Sequence, residues 1–103
     1  GNYHSWQNQQ IRILEAKDKH WVVAQDLVQA AGLKMTDDLK RTLPLSYSGY
    51  RQIPGTNLTG FDQESALKFL TSKQDDPDII KLKLWLEREV FGRLARQRQP
   101  EQP

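Results

Sequence analysis

The chain predicts an α+β domain, with two antiparallel β-hairpins packed against about four helices and a long C-terminal helix as scaffold. Three observations carry this. Two pairs of short β-prone runs, residues 11–15 with 21–24 and 50–53 with 58–61, are each joined by turn residues. Helical patterns follow each hairpin in pairs and do not alternate singly with strands, which argues against a parallel βαβ fold. An apolar stripe at helical spacing runs from residue 77 to about 98. At 103 residues, one domain spanning 11–96 is expected.

The elements follow in order. Residues 1–10 are polar and aperiodic and read as a flexible lead-in, with Tyr3 and Trp6 packing locally. Residues 16–20 are turn-like, so 11–15 and 21–24 make the first hairpin. Residues 24–31 form a short helix with Leu27, Val28 and Ala31 inward, stopped by Gly32. Thr36 is a good N-cap, and Asp37 and Asp38 suit the positive end of a second helix. Leu39 and Leu43, four apart, are its core contacts, and Pro44 is expected to end it. Pro54-Gly55-Thr56-Asn57 turns the second hairpin. Asp62 caps a third helix that offers Ala66, Leu67, Phe69 and Leu70 for burial.

A polar bend over residues 71–76 leads to the last helix. There Asp76 can cap, Pro77 suits the first position and Asp78 favours the dipole. Ile79, Leu82, Leu86, Val90 and Leu94 share one arc, which Ile80, Leu84 and Phe91 widen to more than half the circumference. The remaining stripe carries Lys81, Trp85, Arg88 and Arg96. Trp85 either stacks on a partner or packs beneath the hairpins. Residues 97–103 read as a disordered tail.

Composition narrows the function classes. The chain has no cysteine, which removes disulfide scaffolds, thiol nucleophiles and cysteine zinc sites. No apolar run approaches the length of a membrane helix and no signal peptide is recognisable, so a cytoplasmic protein without a membrane partner is expected. His4 and His20 have no ligand spacing to one another or to a carboxylate. The pairs Asp37/Asp38 and Asp75/Asp76 are explained by capping. No glycine-rich phosphate loop is present. The expectation is a binding module and not an enzyme, with no metal, cofactor or small-molecule substrate. Net charge is +2, but residues 1–80 carry −1 and residues 81–103 carry +3. Positive charge gathered in one element suits a phosphate or acidic partner.

Several ordered segments resemble the Bro-N domain of prophage antirepressors and baculovirus repeated-ORF proteins. Trp21, Val23, Ala24, Asp26 and Gly32 fit its Trp-Phe-Val-Ala-Lys-Asp-Val segment and the short helix after it, with Gln25 in place of the usual Lys. Leu39-Lys40-Arg41 matches its Leu-Lys-Arg. Glu64, Ser65 and Leu67 fit its Asn-Glu-Ser-Gly-Leu, and Thr71-Ser72-Lys73 resembles its Arg-Ser-Lys loop. Lys81-Leu82-Lys83-Leu84-Trp85-Leu86 with Glu89-Val90 resembles its Lys-Phe-Lys-Arg-Trp-Val and Glu-Val. The resemblance spans residues 11 to 95. Where the family closes with Leu-Pro, this chain has Phe91-Gly92, so the helix can continue. In size the chain resembles small stand-alone members, the AlpA-like antitermination regulators.

The resemblance implies a DNA-binding transcription regulator, acting positively by antitermination on RNA polymerase. The alternative is an antirepressor that binds and inactivates a repressor protein. For double-stranded DNA, the candidate contacts are Lys34, Lys40, Arg41, Arg51 and Lys73, cations placed for phosphates. The first two helices make an imperfect helix-turn-helix-like pair, since position 38 calls for an apolar residue and holds Asp. Arg88, Arg93, Arg96 and Arg98 are the candidates for a polymerase contact or a second DNA contact.

Overall fold

Alternation of apolar and polar residues sets the sheet. Ile11 and Ile13 point to one face, with Arg12 and Leu14 on the other. In the computed structural model, which describes residues 3–98 except for the side chain of Arg98, the strands are β1 (Tyr3–Trp6), β2 (Gln9–Ala16), β3 (Lys19–Val23), β4 (Tyr50–Gln52) and β5 (Thr59–Asp62). They form one five-stranded antiparallel sheet in the order β1-β2-β3-β5-β4. The helices are α1 (Ala24–Ala30), α2 (Asp37–Ser46), α3 (Gln63–Thr71), α4 (Pro77–Trp85) and α5 (Gly92–Arg98), with a π-helical turn, Leu86–Phe91, between the last two.

The α+β class expected from the sequence is found, but the two hairpins are joined into one sheet. Residues 3–10 of the expected lead-in are ordered as strand and turn, because β1 pairs with β2 from Tyr3↔Arg12 to Trp6↔Gln9, and residues 1 and 2 lie outside the described residues. The turn between them, Gln7-Asn8, has positive φ at both residues (47° and 68°), as does Lys17-Asp18 (55° and 61°) between β2 and β3. Such two-residue turns match the twist of the strands but usually contain glycine. Gln7-Asn8 therefore lacks the customary turn signature. Gln97 and Arg98, expected in a tail over 97–103, are the last residues of α5. The rest of that tail lies outside the described residues.

The row Ile13–Val22–Phe61–Tyr50 crosses four strands on the helix-covered face. Against it pack Leu27 and Val28 of α1, Phe69 and Leu70 of α3, and Ile79 and Leu82 of α4. On the other face Trp21, Val23 and Ile53 form a small second cluster, flanked by Leu14 and Leu58. Gly60 makes room for it, because a Cβ there would lie 2.7 Å from Ile53 Cδ1 and 2.9 Å from the Val22 carbonyl oxygen.

The expected caps are in place. Thr36 Oγ1 accepts from Leu39 N (3.1 Å), Asp62 Oδ1 from Ser65 N (2.8 Å) and Asp76 Oδ1 from Asp78 N (2.9 Å). Gly32 follows α1 at φ 78°. Pro44 does not end α2, which continues to Ser46. The proline sits in the last turn on the exposed side, where the carbonyl deprived of its donor can be hydrated.

The last helix departs from a regular α-helix. Gly92 N donates to Glu87 O, an i→i−5 bond. The π turn absorbs about one residue, which rotates Phe91 onto the line of Ile79, Leu82 and Leu86. Val90 and Phe91 are consequently both buried. Ile80 and Leu84, by contrast, remain 43% and 39% exposed, so the apolar face is narrower than the sequence suggests. Trp85 is half-buried and packs on Trp6, with ring centroids 5.3 Å apart. This is the packing role, with β1 as its partner. Among the described residues no helix is long and apolar enough to cross a membrane.

Candidate nucleic-acid interface

Helix α2 is anchored lightly. Of its ten residues only Leu43 is buried, with Leu39 and Thr42 half-buried on the same side. Asp37, Asp38, Lys40, Arg41, Pro44, Leu45 and Ser46 all face solvent. At its C-terminal end Tyr47 O accepts from Tyr50 N (3.1 Å) and Tyr47 Oη donates to Ser72 Oγ (3.2 Å). These contacts tie the end of α2 to β4 and to the bend after α3. A short capped helix held along one edge presents most of its circumference outward.

Lys40 faces a cleft of about 200 Å³ where the start of α1, α2 and the β4–β5 hairpin meet. Arg12, Gln25, Tyr50 and Asn57 share its lining. The hairpin turn is rigid. Thr56 Oγ1 donates to Ile53 O (2.9 Å) and accepts from Leu58 N (3.0 Å), and Gly55 supplies φ 80°. Asn57, between Thr56 and Leu58, lines the cleft from this turn. Burial raises the Tyr50 hydroxyl pKa, so it remains a hydrogen-bond donor near neutral pH.

Arg12 is positioned by Asp26, which accepts from its Nε (2.8 Å) and Nη2 (3.1 Å) and from its backbone N (3.0 Å). The hydrogen bond to Asp26 raises the guanidinium pKa and keeps it charged. The cleft thus combines two cations with two amide side chains and a phenol, groups that recognise phosphate oxygens and base edges.

The other expected contacts are distributed. Lys34, Lys40, Arg41, Arg51 and Lys73 are all exposed. Lys34 is in the α1–α2 connection, two residues before the cap. Arg41 pairs with Asp38 on the same helix; an exposed pair of this kind contributes little and can be exchanged for a phosphate. Arg51 stands in the row Arg51–Gly60–Val23, and strand alternation puts it on the same sheet face as Arg12. Lys73 sits in the bend beside Asp75 and Asp76. Lys34, Lys40, Arg51 and Lys73 are in none of the ion pairs among the described residues.

Helix α1 packs on β2, β3 and β5, whereas α2 contacts β4. The two helices are held by different strands and not chiefly by each other, unlike a helix-turn-helix pair. Of Arg88, Arg93 and Arg96, none lines the α2 cleft. Arg88 and Arg96 are exposed, and Arg93 lies 3.6 Å from Glu89 and lines a separate cleft with Tyr3, His4 and Trp85. The Arg98 side chain lies outside the described residues. Arg12, Gln25 and Asn57 were not candidates from the sequence, because nothing local relates them to Lys40. Only the strand order brings these three separate segments to one cleft. No family model, curated protein or solved structure matches the chain.

Proposed function

We propose that this protein binds double-stranded DNA through α2 and the adjacent cleft, as a transcription regulator of the Bro-N type. The observation that carries this reading is a capped helix that buries only Leu43 and turns Lys40 and Arg41 outward, beside a cleft holding Arg12, Gln25 and Asn57. A helix so exposed can enter a major groove, with cations on phosphates and amides on base edges. Positive regulation by antitermination would add an RNA polymerase contact, for which Arg88, Arg93 and Arg96 are available. The second reading, an antirepressor that docks on a repressor protein, draws on Leu45, which is 83% exposed at the end of α2.

Fluorescence anisotropy on a duplex from the protein's own locus, titrated at several salt concentrations, separates the two. Groove binding predicts affinity that falls steeply with salt. Lys40→Ala with Arg41→Ala should lower the slope of log K against log [salt] by about 2 while leaving the circular dichroism unchanged. Absence of any shift at low salt refutes DNA binding and leaves the antirepressor reading.

A further inference from the structure

The outward face of α4 is an unpartnered stripe with opposite charges at its two ends. Ile80 and Leu84, four residues apart, are both large and both substantially exposed. Asp76 lies one turn before Ile80 and is exposed. Arg88 lies one turn after Leu84 and is also exposed. Arg88 follows Leu84 by four residues as Ile80 follows Asp76, so the four residues share one i, i+4 row. The stripe therefore reads acid, apolar, apolar, base at intervals of four.

We propose that this stripe is a homodimer interface, in which a second copy of the chain packs its α4 antiparallel against the first about a two-fold axis near residue 82. A two-fold contact must be self-complementary, each residue meeting the partner of its own counterpart. Centred near residue 82, the pairing sets Ile80 against the second copy's Leu84 and Leu84 against its Ile80. It sets Asp76 against Arg88 at both ends. A parallel arrangement would oppose like charges at each end. Lys81 and Lys83 flank the apolar pair and approach the second copy's lysines near the axis, a repulsion that weakens the contact and that their long stems reduce by carrying the charge to the rim. Two helices in contact along about three turns bury less than the roughly 800 Å² per partner of a standard interface, so the dimer is a weak one that dissociates on dilution. The inference is independent of the DNA-binding reading, because it uses a different element and a different measurement.

Sedimentation velocity of the purified chain from about 10 to 500 μM tests it, a range suited to a small interface. The expected result is a shift from 12.0 kDa toward twice that mass as concentration rises. A single 12.0 kDa species throughout overturns the proposal. Leu84→Glu should weaken association at least tenfold with an unchanged thermal transition; a dimer indifferent to it uses another face and also overturns the proposal. Register is tested without relying on that variant. The chain has no cysteine, so Ile80→Cys and Leu84→Cys proteins carry single thiols. Under mild oxidation an equimolar mixture should form the mixed disulfide in preference to either homodimer. A statistical mixture, or no disulfide, refutes the antiparallel register.

Discussion

Replacing Asp26 by Ala should destabilise the fold more than replacing its ion-pair partner. Asp26 accepts three hydrogen bonds, one from the backbone N–H of Arg12 and two from its guanidinium. That backbone group lies just beyond the last β2–β3 pair on this side, Ile13↔Val22, where β3 gives way to α1. The carboxylate replaces the missing strand. In Asp26→Ala the N–H is left without an acceptor, at a cost of about 1–3 kcal/mol. The two charge-assisted bonds are lost as well, but the Arg12 side chain is 34% exposed and can turn to water. Their loss is discounted to about 1 kcal/mol. The total is about 2–4 kcal/mol. Arg12→Ala keeps the backbone bond, loses the second part and leaves the 12%-exposed Asp26 carboxylate with one donor, about 1–2 kcal/mol in all. Urea unfolding followed by tryptophan fluorescence, with the double variant closing a cycle, measures both. If Arg12→Ala costs as much as Asp26→Ala, or Asp26→Ala costs under about 0.5 kcal/mol, the strand-replacement argument is wrong.

Three further outcomes are expected. Gly60→Ala should cost about 1–3 kcal/mol in the same assay, because the new Cβ meets Ile53 Cδ1 and the Val22 carbonyl, and a shift of Ile53 relieves the first contact but not the second, which is backbone. Phe91→Ala should cost about 3–5 kcal/mol, since the π turn places this ring in the core; a loss below about 1 kcal/mol would mean the helix runs on without that rotation. Burial and then the Arg93 charge lower the His4 pKa, so the unfolded chain binds more protons below pH 6.5. Stability should therefore be fully present above pH 6.5 and decline as pH falls below it. His4→Gln should remove that component of the urea-midpoint profile between pH 8 and pH 5, and an identical profile in the variant would refute the assignment.

Local chemistry was legible in the sequence wherever one residue sets one short-range interaction. Thr36, Asp62 and Asp76 cap the helices they were expected to cap, because capping is decided within three residues. Gly32 takes the left-handed conformation for the same reason. The α+β class followed from the order of the elements. The cations that face solvent were identifiable too, since Lys40, Arg41 and Arg51 lie where no apolar pattern claims them.

What only the tertiary structure decided depends on contacts between distant segments. β1 exists because β2 offers it an edge, and nothing within residues 3–6 announces a strand. Pro44 is carried inside α2 because the carbonyl it leaves unpaired is at the surface. The cleft beside Lys40 arises from the strand order, which sets Asn57 and Gln25 next to a helix far from both in the chain. In the last helix, the hydrophobic pattern specified a buried face but not its phase. A helical wheel assumes a constant advance per residue, and the demand of the core for both Val90 and Phe91 is met by changing that advance. Ile80 and Leu84 precede that turn and stay outside because Ile79 and Leu82 set the phase of α4, so the scaffold helix carries a surface that its amino-acid pattern alone would have assigned to the interior.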